Sequence, residues 1–181
     1  MNRQYGFTML ELLTAVAVAA VLLVVALPNY QQMIKNNCLT TDANSLVTSL
    51  QQARSEAVKR STTTTLTATN AADSSNEWGL GWKITIDEDR NGNGTLDAGE
   101  DYDGDGALSN SALVREVGLT CTKTTVDEPA DTTSITYDSS GFPSTSAKFN
   151  VCDDRTGETG RQVSISFTGR PSTESNYTGC P

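Results

Sequence analysis

The chain's longest apolar stretch lies near its start. From Phe7 to Leu27 it reads FTMLELLTAVAVAAVLLVVAL, with Glu11 as the only ionisable side chain. About 20 apolar residues suffice for a helix to cross a bilayer. A carboxylate inside such a helix is costly, and by default it marks a functional position. A cleaved secretory signal fits poorly. Such signals have a short apolar core followed by a small-residue cleavage site, whereas here Pro28 leads into a polar continuation.

After Pro28, which can kink a helix because it lacks an N–H, the pattern changes. Met33, Leu39, Ala43, Leu46, Leu50, Ala53 and Ala57 recur at helical spacing, while Gln32, Lys35, Asp42, Gln52 and Lys59 fall between them. This is the apolar stripe of an amphipathic helix ending near Arg60, and it must pack against something.

From Thr62 the period falls to two. Candidate strands are Thr63 to Thr69, Leu80 to Ile86, Leu113 to Val117, Ser134 to Tyr137, Lys148 to Cys152 and Gln162 to Thr168. Leu80, Trp82, Ile84 and Ile86 would share one face. Ile135 and Tyr137, Phe149 and Val151, and Val163, Ile165 and Phe167 would also point inward. Asp-, Asn-, Ser- and Gly-rich turns separate the strands. One long helix followed by short antiparallel strands predicts an α+β protein. It would have a leader at 1–6, a transmembrane half of the helix at 7–27, an amphipathic half at 28–60 and a β-rich head at 61–181.

Net charge is -9, which argues against broad phosphate binding and against nucleic acid as a partner. There is no histidine. The usual general base is therefore missing, no Ser-His-Asp arrangement is possible, and an enzyme is not expected. With Arg3 on the short side of the anchor, the head should lie outside the cytoplasm, where disulfides persist. Four cysteines allow three pairings. Spacing favours Cys152 with Cys180, which leaves Cys38 with Cys121. A zinc site is not expected, since there is no C-x-x-C and no histidine.

Residues 89–100, DRNGNGTLDAGE, fit the calcium-loop pattern D-x-[DN]-x-[DN]-G-x₅-E. Asp89, Asn91 and Asn93 would offer side-chain oxygens, Thr95 its carbonyl, Asp97 a direct or water-bridged contact and Glu100 two oxygens. Gly94 allows the turn. A weaker copy follows at Asp101, Asp103 and Asp105, with Ala112 where a glutamate would stand. The bland alternative is an Asp/Asn/Gly turn between strands. If Ca²⁺ binds, its role would be structural.

Gly6-Phe7-Thr8 with Glu11 resembles the class III signal of type IV pilins and type II secretion pseudopilins. The resemblance implies prepilin peptidase cleavage between Gly6 and Phe7, N-methylation of Phe7, and Glu11 as the charge that compensates a neighbouring subunit's amine. It implies residence in the bacterial inner membrane as a single pass with a periplasmic head, and then assembly with other pilins or pseudopilins. Residues 53–60 (ARSEAVKR), Gly81-Trp82 before the acidic loop, and residues 165–170 (ISFTGR) resemble GspH-, FimT- and FimU-type minor subunits. Some FimT-type proteins contact DNA through a Gly-Arg-x-Arg motif. Here Gly169-Arg170-Pro171-Ser172 lacks the second arginine, so Arg170 alone would carry that alternative, with Arg155 and Arg161 as possible neighbours.

Overall fold

The computed structural model describes residues 7–155, 157 and 160–180. The leader, including Gly6, lies outside them. Packing divides the chain into two units, Met1–Asn37 and Cys38–Pro181. The helix α1, Met9–Arg60, enters both and contains Pro28.

In the first unit, every described side chain from residue 7 to residue 34 is exposed. Met33, expected on the buried stripe, is 59% exposed. The packed part of the helix begins later, at Leu39.

Among the described residues, the second unit holds α1's last turns and eight strands. β1 (Thr64–Ala68), β2 (Trp82–Ile86), β3 (Ala112–Val117) and β5 (Ser134–Tyr137) form one antiparallel sheet, ordered β3-β2-β1-β5. β4 (Thr125–Asp127), β6 (Ala147–Cys152), β7 (Gly160–Ile165) and β8 (Pro171–Tyr177) form a second, ordered β4-β6-β7-β8. Neighbouring strands pair antiparallel in both.

Period and burial agree along most elements. Leu39, Ala43, Leu46, Leu50, Ala53 and Ala57 present one buried helical face. Leu66, Trp82, Ile84, Ile135 and Tyr137 meet it from the first sheet, and Phe149, Val151, Val163 and Ile165 from the second. Trp78 lies among them. Its ring stands edge-on to Phe149, with centroids 5.0 Å apart, and its Nε1 donates to the Thr132 carbonyl at 2.9 Å. Burying such an indole requires a partner for its N–H.

Two further expectations are corrected. Leu80 is 64% exposed, because β2 begins at Trp82 after a turn closed by Gly81 N–H on the Trp78 carbonyl. Phe167 is 72% exposed, because β7 ends at Ile165 and residues 166–169 form a turn. β4 and β8 were not foreseen. β4 has three residues, and β8 reads PSTESNY with no buried position, so its ladder with β7 defines it rather than an apolar face.

Two disulfides join Cys38 to Cys121 and Cys152 to Cys180. The first ties α1 to the β3–β4 connection. One helical turn on, the buried Asp42 accepts the Thr120 N–H at 2.8 Å, which fixes the same connection a second time.

Candidate functional site: a capped apolar helix, an acidic loop and a basic groove

α1 starts with a reciprocal cap. The Glu11 N–H donates to Thr8 Oγ1 at 3.2 Å, while Glu11 Oε2 accepts the Thr8 N–H at 2.9 Å and its hydroxyl at 2.8 Å. Thr8-x-x-Glu11 is thus a capping box, which satisfies orphan donors at the helix start. The same spacing was visible in the sequence beneath the membrane pattern. Glu11 sits in the first turn of this long helix, in its most apolar half. Phe7 stands before it, 84% exposed. By length and composition this is the one helix able to cross a membrane among the described residues.

The acidic loop spans residues 87–111, between the paired ends of β2 and β3, where Ile86 faces Ala112. Its first half closes on itself. Asp89 accepts the N–H groups of Asn93 and Gly94 at 3.0 and 2.9 Å. Asn91 and Asn93 accept the N–H groups of Asn93 and Thr95, and both of their amides donate to Asp97 Oδ2 at 2.8 Å. Those two donors hold the Asp97 carboxyl below its ordinary pKa. Glu100 is buried and accepts the Asp97 N–H at 3.0 Å. Gly94 has φ +72, the left-handed value the sharp turn needs.

The second half repeats the design. Asp101 accepts the N–H groups of Gly104 and Gly106, and Asp103 that of Asp105. Carboxylates converge here rather than in the first loop. Oxygens of Glu88, Asp101 and Asp103 lie within 4.8 Å of one another. Such a donor set suits a hard divalent cation. Asp105 is not part of it. The sequence pattern missed Glu88, which precedes both loops. Glu88 is buried, and it accepts the N–H groups of Tyr102, Asp103 and Ser109.

Arg170 stands exposed before β8. Its expected companions lie elsewhere. Arg155 pairs with Asp153, and Arg161 donates to the Ser175 carbonyl and to Thr40 Oγ1. Arg170 instead shares an open groove of about 800 Å³ with Arg54 and Lys59 of α1. Arg54 is anchored by its Nε donating to the Gly141 carbonyl at 3.0 Å. Neither Arg54, Lys59 nor Arg170 makes an ion pair among the described residues.

Comparison with known proteins agrees with this architecture. A family model described as type II transport protein GspH matches residues 42–169, and one for the prokaryotic N-terminal methylation motif matches residues 1–27. Two crystal structures of the type IV minor pilin FimU from Pseudomonas aeruginosa PAO1 are similar to the chain. One has a TM-score of 0.55 at 26% identity, over 76% of this chain and 89% of that one. The other has a TM-score of 0.51 at 26% identity, over 75% and 91%. No curated protein sequence matches significantly. The GspH match spans well over half of the chain, its two sheets and packed helix follow the FimU fold, and the chain belongs to the GspH family.

Proposed function

We propose that this chain is a minor pilin or pseudopilin, a structural subunit held in the membrane by α1 and then built into a filament. The single observation that carries this reading is the N-terminal methylation motif at residues 1–27 joined to a head matched by the GspH model at 42–169. Prepilin peptidase would cut between Gly6 and Phe7 and N-methylate Phe7. The chain would rest as a single pass in the inner membrane with its head in the periplasm. In the filament, Glu11 would receive the charged amine of an adjacent subunit's Phe7. An isolated charge in low dielectric is far costlier than a paired one, so the pair would set the register of assembly.

The capping box separates two roles of Glu11. Glu11→Gln keeps an acceptor for Thr8 but removes the charge, and Glu11→Ala removes both. Both variants should keep a folded head and membrane insertion, and both should be lost from sheared filaments in an immunoblot. Normal incorporation of Glu11→Gln would reduce the residue to a helix cap.

The acidic loop would take Ca²⁺ as a structural ion. Support comes from the complete pattern at 89–100 and from the convergence of Glu88, Asp101 and Asp103. An extracellular-type site binding at ~0.1–1 mM would add about 1–3 kcal/mol of stability at ten to a hundred times its dissociation constant. The melting temperature should rise with calcium. The rise should shrink in Asp89→Ala if the first loop holds the ion, and in Asp101→Ala if the second does. No rise in the unmodified chain would dismiss the ion.

A further inference from the structure

Away from the acidic loop, a second group of acids gathers where the β1–β2 connection runs beside β4. The Trp78 N–H donates to the Val126 carbonyl at 3.1 Å, and the Val126 N–H donates to Asn76 Oδ1 at 2.9 Å. This pairing brings Glu77 alongside Asp127. Glu77 is 1% exposed. Its Oε2 accepts the Glu128 N–H at 3.4 Å, while its Oε1 has no partner within the chain. The Asp127 carboxyl lies within hydrogen-bonding reach of the Glu77 carboxyl, and Asp131 and Asp73 add negative charge from further out. No Lys or Arg forms an ion pair with any of these four acids among the described residues. Lys148 shares a cleft with Glu128 and with none of the four. Glu128 itself is engaged in its own turn, where its Oε2 accepts the N–H groups of Ala130 and Thr132.

A carboxylate removed from water must take a proton, find a counter-charge or coordinate a metal. A proton would neutralise one of the four charges and leave the others facing it. A divalent cation between Glu77 and Asp127 would meet two of them directly. The backbone also receives Glu77 as an anion, since an N–H aimed at a carboxylate favours its charged form. We propose that the carboxylates of Glu77 and Asp127 hold a divalent cation, Ca²⁺ or Mg²⁺, between the β1–β2 connection and β4, with water completing its shell. Mg²⁺ is commonly held by one or two carboxylates and keeps several waters, and Ca²⁺ takes the same hard oxygens in a larger shell. Asp127 is half-buried, which leaves a side open to the ion and its waters. Bound there, the ion ties a connection of the first sheet to a strand of the second. Neither ligand belongs to the acidic loop, so the site is independent of calcium there.

The test uses the full chain in non-ionic detergent, with Tb³⁺ as a luminescent stand-in for the divalent ion. Trp78 adjoins Glu77 in the chain, and the Trp82 ring lies 6.4 Å from that of Trp78. The aromatic residue between Asp101 and Asp103 is instead a tyrosine, Tyr102. Excitation confined to tryptophan should therefore sensitise Tb³⁺ at Glu77 and Asp127 and not in the acidic loop. The emission should saturate, and Ca²⁺ or Mg²⁺ should displace it, the one acting at lower concentration being the resident ion. Glu77→Gln and Asp127→Asn should each weaken Tb³⁺ binding by at least about tenfold, while Asp101→Ala leaves it unchanged. Unchanged tryptophan emission before Tb³⁺ is added confirms that the variants are folded. An unmodified chain without sensitised emission overturns the proposal, and a carboxyl pair that only shares a proton gives that result. So does emission that survives in Glu77→Gln and Asp127→Asn, emission lost in Asp101→Ala, or Tb³⁺ that neither Ca²⁺ nor Mg²⁺ displaces.

Discussion

Removing the Cys38–Cys121 bridge should cost more than removing Cys152–Cys180, and the reason lies in chain length. The bridges span 83 and 28 residues. In the chain-entropy account, closing loops of those lengths in the unfolded state contributes about 4.5 and about 3.6 kcal/mol. The predicted difference is only about 1 kcal/mol, because loop entropy grows with the logarithm of length. Against a usual domain stability of about 5–15 kcal/mol, loss of the longer bridge leaves the head marginal. The native state should still hold its strap after the cut, since Asp42 keeps the Thr120 N–H. The assay is urea unfolding of the full chain in detergent, for Cys38→Ala/Cys121→Ala and for Cys152→Ala/Cys180→Ala. Trp78 and Trp82, both fully buried, report the transition. A larger loss from the shorter bridge would refute the entropic ranking. A loss below ~1 kcal/mol for the longer one would show that the unfolded chain is already compact there.

Two further perturbations test the core. Glu77 is 1% exposed, its Oε1 has no hydrogen-bond partner, and burial raises its pKa above the ordinary 4.5, with the charges of Asp127 and Asp131 adding to the shift. Burial also raises Asp127, helped by the charges of Glu128, Asp131 and Asp73. A raised folded-state value means that this stabilisation is complete below the unfolded pKa and is lost as pH rises through the folded one. Glu77→Gln should therefore flatten the fall in urea midpoint between pH 5 and pH 8 and raise the midpoint at pH 8. An unchanged slope would place the titration elsewhere. Gly81 has φ +105, and a Cβ there would stand 2.1 Å from the Val117 carbonyl oxygen. Gly81→Ala should cost at least about 2 kcal/mol, seen as a lower melting temperature. A neutral result would mean that the β2–β3 hairpin can yield.

What the sequence disclosed depended on whether side-chain chemistry or backbone pairing defined each element. The stripe from Leu39 to Ala57 was legible because burial alone dictates it, and Ser134–Tyr137 because alternation marks it. β8 carries no apolar signal, so nothing in PSTESNY announces a strand until β7 lies beside it. Trp78 follows a turn, where period is meaningless, yet it sits at the centre of the core. Phe167 extends the alternation of β7 past the residue where the chain turns. At the loop, the pattern marked two repeats but not Glu88, which serves them from outside their numbering. At the groove, the sequence marked Arg54 only as part of the segment at 53–60. Only the fold sets it beside Gly141 and Arg170.

The acidic loop leaves and re-enters the sheet at one paired position, Ile86 with Ala112, and Glu88 gathers three of its N–H groups just inside that point. The head therefore carries it as a replaceable cassette. Doubling the length of such a loop costs only about 0.6 kcal/mol in closure entropy. Related subunits could lengthen, shorten or recharge this segment without disturbing the hairpin that bears it, and so alter what the loop presents while keeping the scaffold unchanged.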